Sequence, residues 1–432
     1  MQYYSLNKQA PSVSFREATI RGQAPDKGLY FPEQIPVIDP SVIENIEGYS
    51  KEELAYLIMK PYVGDAIDQK SLYRIVSETI HFPFPLVPVT KQIASLELFH
   101  GPTLAFKDVG ARFMSRCLGY FSQEQSKKVT VLVATSGDTG GAVANGFLGV
   151  EGVDVVILYP SGKVSPVQEL QLTTCGQNIK ALEVSGTFDD CQSMVKDAFM
   201  DAELADRLLL TSANSINVAR WLPQQLYYFF AYQQWEDKKR PPAIAVPSGN
   251  FGNICAGLLA HISGLPVAHF IAACNVNDAV PAYLRSGNYQ IKKAVPTISN
   301  AMDVGNPSNF IRIMEMFEND YAVIKEKISG YTVNDDTTQK AIGEVYRQYG
   351  YTLDPHGAVA YYALQQWLLQ NKEVKGIFLE TAHPVKFPET VEAMIGKTLS
   401  IPESVQPLLQ KEKRSIPMQA SFTALKTWLL DQ

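Results

Sequence analysis

The stretch "VLVATSGDTGGAVANG", residues 131–146, decides the fold class because its hydrophobic pattern changes within a few residues. It begins as a run of β-branched and aliphatic residues, which is typical of a buried strand. It then passes through Ser136, Gly137 and Asp138 into small residues that can begin a helix. The same order recurs in "IAVPSGNFGNICAGL", residues 244–258. Two such strand–loop–helix units predict an α/β protein with a mostly parallel sheet.

Other apolar runs continue this alternation of strand and helix along the chain. The strand candidates are "VTVLVA" (129–134), "DVVILYP" (154–160), "IAVP" (244–247), "HFIAAC" (269–274) and "GIFLE" (376–380). A loop or an amphipathic stretch follows each of them, as parallel strands joined by crossover helices require. The alternation therefore predicts that most of the chain belongs to α/β domains.

The first ninety or so residues have a different pattern and are predicted to be mainly helical. Ser50 and Glu53 form a capping-box pattern ahead of "LAYLIM", and the prolines of "HFPFPLVPVT", residues 81–90, end any helix there. The predicted divisions are an N-terminal segment at 1–92, a large α/β domain at 93–118 and 215–432, and a small α/β domain at 119–214.

Charge and composition exclude several classes of protein. The 432 residues carry 38 Lys+Arg against 44 Asp+Glu, a net charge of -6, without the cationic run of a nucleic-acid partner. The N-terminus lacks a basic-then-apolar signal, and no run of about 18 apolar residues is present, so we expect a cytoplasmic protein without a membrane partner. Five scattered cysteines without C-x-x-C predict a reduced compartment, and six histidines without H-E-x-x-H give no support for a metal.

The two glycine-rich loops are candidate anion cradles. A glycine-rich turn that begins a helix presents backbone N–H groups, and the helix dipole favours an anion there. The first loop offers Thr135, Ser136, Gly137, Asp138 and Thr139, and the second offers Ser248, Gly249, Asn250, Phe251, Gly252 and Asn253. Neither loop matches the dinucleotide or P-loop motif. The alternative is a pair of tight turns that bind no ligand.

Lys107 stands in "LELFHGPTLAFKDVGARF", residues 96–113, just inside the predicted first turn of a helix. The helix dipole disfavours an ammonium group there, unless the side chain extends into water. Apolar residues recur behind it at four-residue spacing and predict that the turn lies against a core. These residues are Val109, Phe113, Cys117 and Phe121. A partly desolvated amine has a lowered pKa, as Schiff-base formation requires, and together with an anion cradle it suggests pyridoxal phosphate.

Longer motifs from end to end of the chain point to one family. They are "LYFPEQIP", "LELFHGPTLAFKD", "ATSGDTGGAVA", "ILYPSGKVSPVQ", "SANSINVAR", "VPSGNFGN", "SNAMDVGNPSN", "DPHGAVAY" and "ETAHPVKF". In these motifs the sequence resembles the pyridoxal-phosphate-dependent threonine synthases of fold type II. The resemblance implies a fold like that of tryptophan synthase β, with two α/β domains of mostly parallel sheet and an N-terminal helical segment.

The resemblance also implies roles for particular residues. Lys107 is expected to hold the cofactor and to move protons at the substrate carbons, and Thr381 to hydrogen-bond the pyridine nitrogen. Asp138 takes the position facing the ring oxygen, where related enzymes often carry asparagine. The residues expected to hold the cofactor phosphate are Gly249, Asn250, Phe251, Gly252 and Asn253. Those expected around the amino-acid end of the substrate are Thr135, Ser136, Gly137 and Thr139.

The reaction that the family implies is conversion of O-phospho-L-homoserine and water to L-threonine and phosphate, by a carbon–oxygen lyase that is a monomer or a homodimer. A departing phosphate needs cations and polar groups near it. The candidates are Lys163, Asn214, Ser215, Asn217 and Arg220. One alternative is a fold-type II lyase, either a threonine or serine dehydratase or an O-phosphohomoserine phospho-lyase, which releases a keto acid and ammonia. A second alternative is a non-catalytic scaffold, which would be colourless when purified.

Overall fold

A computed structural model describes residues 1–123 and 127–432. Its strands are β1 (Gln2–Ser5), β2 (Val13–Ser14), β3 (Tyr30–Pro32), β4 (Leu86–Pro88), β5 (Ile93–Glu97), β6 (Val129–Ala134), β7 (Val153–Pro160), β8 (Ile179–Ser185), β9 (Leu209–Thr211), β10 (Ala243–Pro247), β11 (His269–Cys274), β12 (Ile328–Thr332), β13 (Gly376–Glu380) and β14 (Ile416–Gln419).

The helices alternate with these strands over most of the chain. The α-helices are α1 (Phe15–Arg21), α2 (Pro40–Glu44), α3 (Lys51–Val63), α4 (Gln69–Thr79), α5 (Lys107–Ser122), α6 (Asp138–Phe147), α7 (Pro166–Thr173), α8 (Phe188–Met200), α9 (Ala202–Arg207), α10 (Val218–Trp221), α11 (Leu226–Gln234), α12 (Gly252–Ile262), α13 (Ala279–Ser286), α14 (Phe310–Met316), α15 (Tyr321–Lys327), α16 (Asp335–Tyr349), α17 (Pro355–Gln370), α18 (Pro388–Ile395) and α19 (Phe422–Leu430). Short 3-10 helices cover Ile46–Gly48, Gly64–Ala66, Leu222–Gln225, Asn300–Met302, Pro384–Lys386 and Gln406–Gln410.

All of the apolar runs proposed as strands are confirmed. The bounds of β6, β11 and β13 coincide with the runs "VTVLVA", "HFIAAC" and "GIFLE", and β7 and β10 each begin just before their runs. Every residue of β6 and β13 is buried. This burial explains the unbroken apolar pattern, because a central parallel strand is covered on both faces.

The larger sheet has six strands in the order β12-β11-β10-β13-β5-β4. Strands β5, β10, β11, β12 and β13 are parallel, and β4 pairs antiparallel with β5 at the edge. The carboxyl ends of β10, β13 and β5 therefore lie side by side. Ligand sites of open parallel sheets form at this edge, so the segments that follow these three strands are the first place to look for chemistry.

The smaller sheet has five parallel strands in the order β14-β8-β7-β6-β9. Strand β14 is a difference from the predicted boundaries, which grouped residues 215–432 with the larger sheet. Met418, Leu425 and Leu429 explain the placement, because they are buried in the same apolar cluster as residues of β6, β7 and β8. Burial of β14 and α19 against this sheet removes that apolar surface from water.

The N-terminal segment holds α1–α4 and, in addition, an antiparallel sheet of order β2-β1-β3 that the sequence analysis did not predict. These strands are only two to four residues long, too short for a clear alternation of apolar and polar residues. The capping box ahead of α3 is confirmed, since Ser50 N donates to Glu53 Oε2 at 2.8 Å and Glu53 N donates to Ser50 Oγ at 3.2 Å.

The described chain lacks a helix that could span a membrane and a cluster of side chains that could hold a metal ion. Within residues 1–123 and 127–432, no helix has the length and apolar character needed to cross a bilayer. The same residues contain no group of three or more His, Cys, Asp or Glu side chains arranged to hold a metal ion. The cysteines are free thiols, and Cys117, Cys191, Cys255 and Cys274 are buried.

Candidate active site

Lys107 is the first residue of α5, as the sequence predicts. The loop before it is tied to the segment that follows β13, because Phe106 N donates to Thr381 O at 2.9 Å and His383 N donates to Leu104 O at 3.0 Å. Two residues far apart in the sequence, Lys107 and Thr381, are thereby brought to neighbouring positions at the carboxyl edge of the larger sheet.

The amino group of Lys107 lies in a setting that favours its neutral form. Behind it, the predicted core residues of α5 are all buried: Val109, Phe113, Cys117 and Phe121. Burial lowers the pKa of Lys107 from 10.5 to about 8; the charge of Asp138 opposes this shift, and the charges of Arg220 and Lys386 add to it. A larger fraction of the amine is therefore neutral near pH 7 than in an exposed lysine.

The loop between β10 and α12 forms the second predicted cradle. Among the described residues, the amide N–H groups of residues 249–254 have no hydrogen-bond partner. Phe251 has a φ of 60°, a left-handed conformation that is uncommon for a residue other than glycine. A Cβ on Gly249 would lie 2.6 Å from Met302 Cα, so only glycine fits there. The loop thus presents a series of free donors at the positive end of a helix.

Three residues that the sequence analysis did not identify, Ser308, Asn309 and Arg312, help to hold this loop in place. Asn250 Oδ1 accepts hydrogen bonds from Ser308 N at 2.6 Å and Ser308 Oγ at 2.8 Å. Ser215 Oγ accepts from Asn250 Nδ2 at 3.1 Å and from Asn309 Nδ2 at 2.9 Å. Arg312, fully buried, donates to Asn309 Oδ1 at 2.6 Å and to Ser215 O at 2.9 Å. The predicted residue Ser215 therefore lies beside the cradle.

The loop between β6 and α6 is the other predicted cradle. Thr135 Oγ1 closes it by accepting from Gly137 N at 3.0 Å and Gly140 N at 2.9 Å. The amides of Ser136, Asp138 and Thr139 have no partner within the part of the chain that is described. Gly137 has a φ of 144°, which favours glycine. This loop also presents free donors at a helix start.

Asp138 makes an ion pair with Lys386, a residue that the sequence analysis missed. The Lys386 ammonium is fully buried, lies 2.5 Å from Asp138 Oδ1 and donates to Thr103 O at 2.9 Å. Gln168 Nε2 donates to the same Asp138 Oδ1 at 2.7 Å. Burial would raise the pKa of Asp138, but Lys386 and Lys107 outweigh it and hold that pKa well below its usual range. Asp138 is therefore an ionised acceptor and cannot donate a hydrogen bond as asparagine would.

Arg220 on α10 contacts the backbone of Lys107. Its Nη1 donates to Lys107 O at 2.9 Å, and its Nε is buried without a partner among the described residues. Burial lowers the pKa of Arg220 to about 10, which leaves the guanidinium charged near neutrality. A buried cation with an unused donor is arranged to bind an anion.

The remaining predicted substrate residues differ in their surroundings. Asn217 is buried and donates to Thr19 O at 2.9 Å while its Oδ1 accepts from Ala219 N at 2.9 Å, so its side chain already links α10 to the N-terminal segment. Asn214 is half-buried, and Lys163 is exposed on the loop after β7. The structure gives no contact that joins Lys163 to Lys107, and its substrate role stays a prediction.

Thr381 and Glu380 lie at the end of β13. Thr381 is buried, and its hydroxyl has no hydrogen-bond partner in the described chain. Glu380 is fully buried, and its Oε1 accepts from Asp354 N at 2.5 Å. Burial and the neighbouring Asp354 raise the pKa of Glu380 well above its usual value, which favours the neutral form of this carboxyl beside Thr381.

These donors fit a phosphorylated cofactor. Besides the free amides of residues 249–254, the buried Asn253 Nδ2 has no partner among the described residues, although Asn253 Oδ1 accepts from Tyr228 OH at 2.8 Å. A phosphate group would satisfy such donors at a helix start. The next two strands of the sheet after β10 are β13 and β5. The neutral hydroxyl of Thr381 directly follows β13, and the amine of Lys107 belongs to the segment that follows β5. The residues present therefore fit pyridoxal phosphate.

Fold and site together define the class, an enzyme of fold type II that uses pyridoxal phosphate. Residues 87–377 match the family described as "Pyridoxal-phosphate dependent enzyme". The families described as "Threonine synthase N terminus" and "Threonine synthase, C-terminal" match residues 2–80 and 357–429. The chain belongs to the threonine synthase family. These matches do not favour a dehydratase or another lyase.

Individual threonine synthases are similar to this protein over nearly its whole length. The threonine synthase of Escherichia coli (strain K12) is 44% identical over 433 residues, with 100% of each chain covered. The crystal structure of the Escherichia coli enzyme matches with a TM-score of 0.92 at 43% identity, covering 100% of both chains. The structure of pyridoxal-phosphate-bound threonine synthase from Brucella melitensis has a TM-score of 0.93 at 35% identity, covering 99% of this chain and 98% of that one.

Proposed function

We propose that this pyridoxal-phosphate-dependent threonine synthase converts O-phospho-L-homoserine and water to L-threonine and phosphate. One combination of features carries the proposal: two separate loops present free amides at helix starts, and a buried, incompletely bonded arginine contacts the backbone of Lys107. One loop supplies donors for the cofactor phosphate, and the other supplies donors for the substrate carboxylate. Arg220 remains for a further phosphate, which a substrate such as serine lacks.

Lys107 is proposed as the group that moves protons. Bound pyridoxal phosphate supplies an electron sink for negative charge that develops at the substrate carbons. The amine of Lys107, with its pKa lowered to about 8, is the base that accepts a proton from the α carbon, releases it, and then accepts a proton from the β carbon. The same group in its protonated form returns a proton to the γ carbon after phosphate leaves. Water then adds its hydroxyl group at the β carbon, and a proton returned to the α carbon completes threonine.

The other predicted residues are proposed to bind and orient. Residues 249–253 hold the cofactor phosphate through their free amides, and Thr381 hydrogen-bonds the pyridine nitrogen. The loop of residues 135–139 binds the amino-acid end of the substrate. Arg220 binds the substrate phosphate, with Lys163, Asn214, Ser215 and Asn217 as the further polar candidates. All of these residues come from one chain, so the proposal requires no residue from a second copy.

Replacing Thr381 by alanine is expected to weaken cofactor binding. The hydroxyl is buried and has no partner among the described residues, so its loss would cost about 1–3 kcal/mol if its bond to the ring nitrogen is made. The measurement is the dissociation constant of pyridoxal phosphate, from absorbance during stepwise dialysis. Thr381→Ser keeps the hydroxyl and is the matched control. Equal cofactor affinity in both variants and the parent protein would show that this contact is not made.

Incubation with O-phospho-L-homoserine tests the reaction itself. We expect phosphate and threonine to appear in equal amounts, without keto acid, when all three are assayed in the same samples. L-Serine and L-threonine serve as comparison substrates, because a dehydratase would turn them into keto acid and ammonia. Keto acid without threonine from O-phospho-L-homoserine would overturn the proposal and favour a lyase.

A further inference from the structure

One carboxylate beside the start of α5, that of Asp138, is paired with Lys386 and also interacts electrostatically with Lys107. The side chains of Lys386 and Asp138 are 0% and 5% exposed, and their charged atoms lie 2.5 Å apart. The charge of the same Asp138 raises the pKa of Lys107, whereas the charge of Lys386 lowers it. The charges of the three groups therefore act on one another. A carboxylate that is paired with one lysine does less to stabilise the charged form of a neighbouring amine than an unpaired carboxylate does.

In the structure, Asp138 is paired with Lys386. Asp138 Oδ1 contacts Lys386 Nζ and accepts from Gln168 Nε2, while Thr103 O holds the Lys386 ammonium from the other side. Of the cations that lower the pKa of Asp138, Lys386 acts more strongly than Lys107. Without Lys386, Lys107 would be the remaining lysine facing this buried carboxylate, and pairing with it would hold the Lys107 amine in its charged form.

We propose that Lys386 is a positioning residue for Lys107: by pairing with Asp138 it prevents that carboxylate from pairing with Lys107, and so sets the pH range in which the Lys107 nitrogen is neutral. The inference rests on the proposed role of Lys107 as the residue that holds the cofactor. In this proposal Asp138 has a role that asparagine could not perform, because only an ionised side chain can offset the positive charges of Lys386 and Lys107.

Substitutions of Lys386 or Asp138 leave the other charged residues near this ion pair in place. The titratable groups that face Lys107, Asp138, Lys386 or their direct neighbours are Asp108 on α5, Arg220 on α10, Tyr227 on α11 and His383 ahead of the 3-10 helix at Pro384–Lys386. Asp108 is held by Thr103, whose N donates at 2.9 Å and whose Oγ1 donates at 2.5 Å. Asp138 and Lys386 can therefore be changed one at a time.

The test is a pH titration of the visible absorption band of the holoenzyme, which reports the proton on the Lys107 nitrogen and does not depend on turnover. Lys386→Met removes a cation and frees Asp138, so the midpoint is expected to rise by about one pH unit or more. Asp138→Asn removes an anion and leaves Lys386 charged, so the midpoint is expected to fall. The double variant should return close to the parent value, and Lys386→Arg should stay close to it.

Opposite shifts distinguish this role from a structural one. Both single substitutions break the same ion pair, so a pair that only joins the two sheets predicts shifts in the same direction, or none, and either result overturns the proposal. Lys413→Met is the matched control, since it breaks ion pairs with Glu169 on α7 and Glu183 on β8 and should leave the midpoint unchanged. If Lys386→Met does not fold, Asp138→Asn decides the matter, and a midpoint that fails to fall overturns the proposal. A wrong substrate assignment would change the product assay and leave this titration as it is.

Discussion

Lys107→Ala is expected to remove the visible absorption band of the purified protein and to lower turnover by about a thousandfold or more. The amine is proposed both to hold the cofactor and to move protons, and positioned acid–base groups alone contribute about 10²–10⁴-fold. No other lysine among the described residues begins a helix at the carboxyl edge of the larger sheet. The measurements are absorbance after dialysis and the rate of threonine formation.

Borohydride reduction of the parent protein, followed by peptide mass spectrometry, should place the cofactor on the peptide that contains Lys107. The exposed Lys91 provides a matched control, because Lys91→Ala removes a lysine from the loop before β5 and should keep both the band and the activity. A Lys107→Ala protein that retains its band and activity after dialysis would contradict the assignment.

Arg220→Ala is expected to have the second largest effect. Loss of a buried cation that is proposed to bind the leaving phosphate should cost about 2–4 kcal/mol of transition-state stabilisation, which lowers kcat/KM for O-phospho-L-homoserine by about 30- to 1000-fold. Spectral changes on adding L-threonine or L-serine should be nearly unchanged, because these ligands carry no phosphate. Comparing the three ligands on one preparation gives the result.

If Arg220 had only a structural role, its replacement by alanine would be expected to affect all three ligands. Arg220 Nη1 donates to the carbonyl of Lys107, so the alanine variant could displace the start of α5. Such a displacement would weaken every ligand by a similar factor and would also change the cofactor band. Arg220→Lys separates the two effects further, since it keeps a charge but loses the planar pair of donors that suits phosphate. Equal losses for all three ligands would contradict the assignment of Arg220 to the phosphate.

Local sequence patterns predicted the elements that carry the site. The apolar runs at β6 and β10 are long and uninterrupted, and glycines follow both, so the strand–loop–helix units were visible without tertiary information. Lys107 was visible for the same reason, since its conflict with the helix dipole is a local property. The short strands β1–β3 and the position of β14 were not visible, because pairing partners distant in the sequence determine them.

The residues that support the site were harder to predict. Lys386 lies in the motif "ETAHPVKF", but only its contact with Asp138, at the start of α6, shows that it is buried beside an opposite charge. Arg312 was missed as well, because its partners Ser215 and Asn309 come from separate loops. A lysine or arginine in sequence is most often exposed, so burial of such a residue becomes apparent only from the fold.

Strand β14 gives the chain a particular order of assembly. It completes the smaller sheet by pairing with β8, and Ser415 Oγ donates to Glu183 Oε2 across 232 residues of sequence. All strands of the larger sheet from β10 to β13 lie between these two partners. During synthesis on the ribosome, strand β8 would therefore be an unpaired edge of the smaller sheet until the larger sheet had been synthesised. Contacts of such long sequence separation form slowly, so the pairing of β14 with β8 is expected to be a late folding step that closes the smaller sheet.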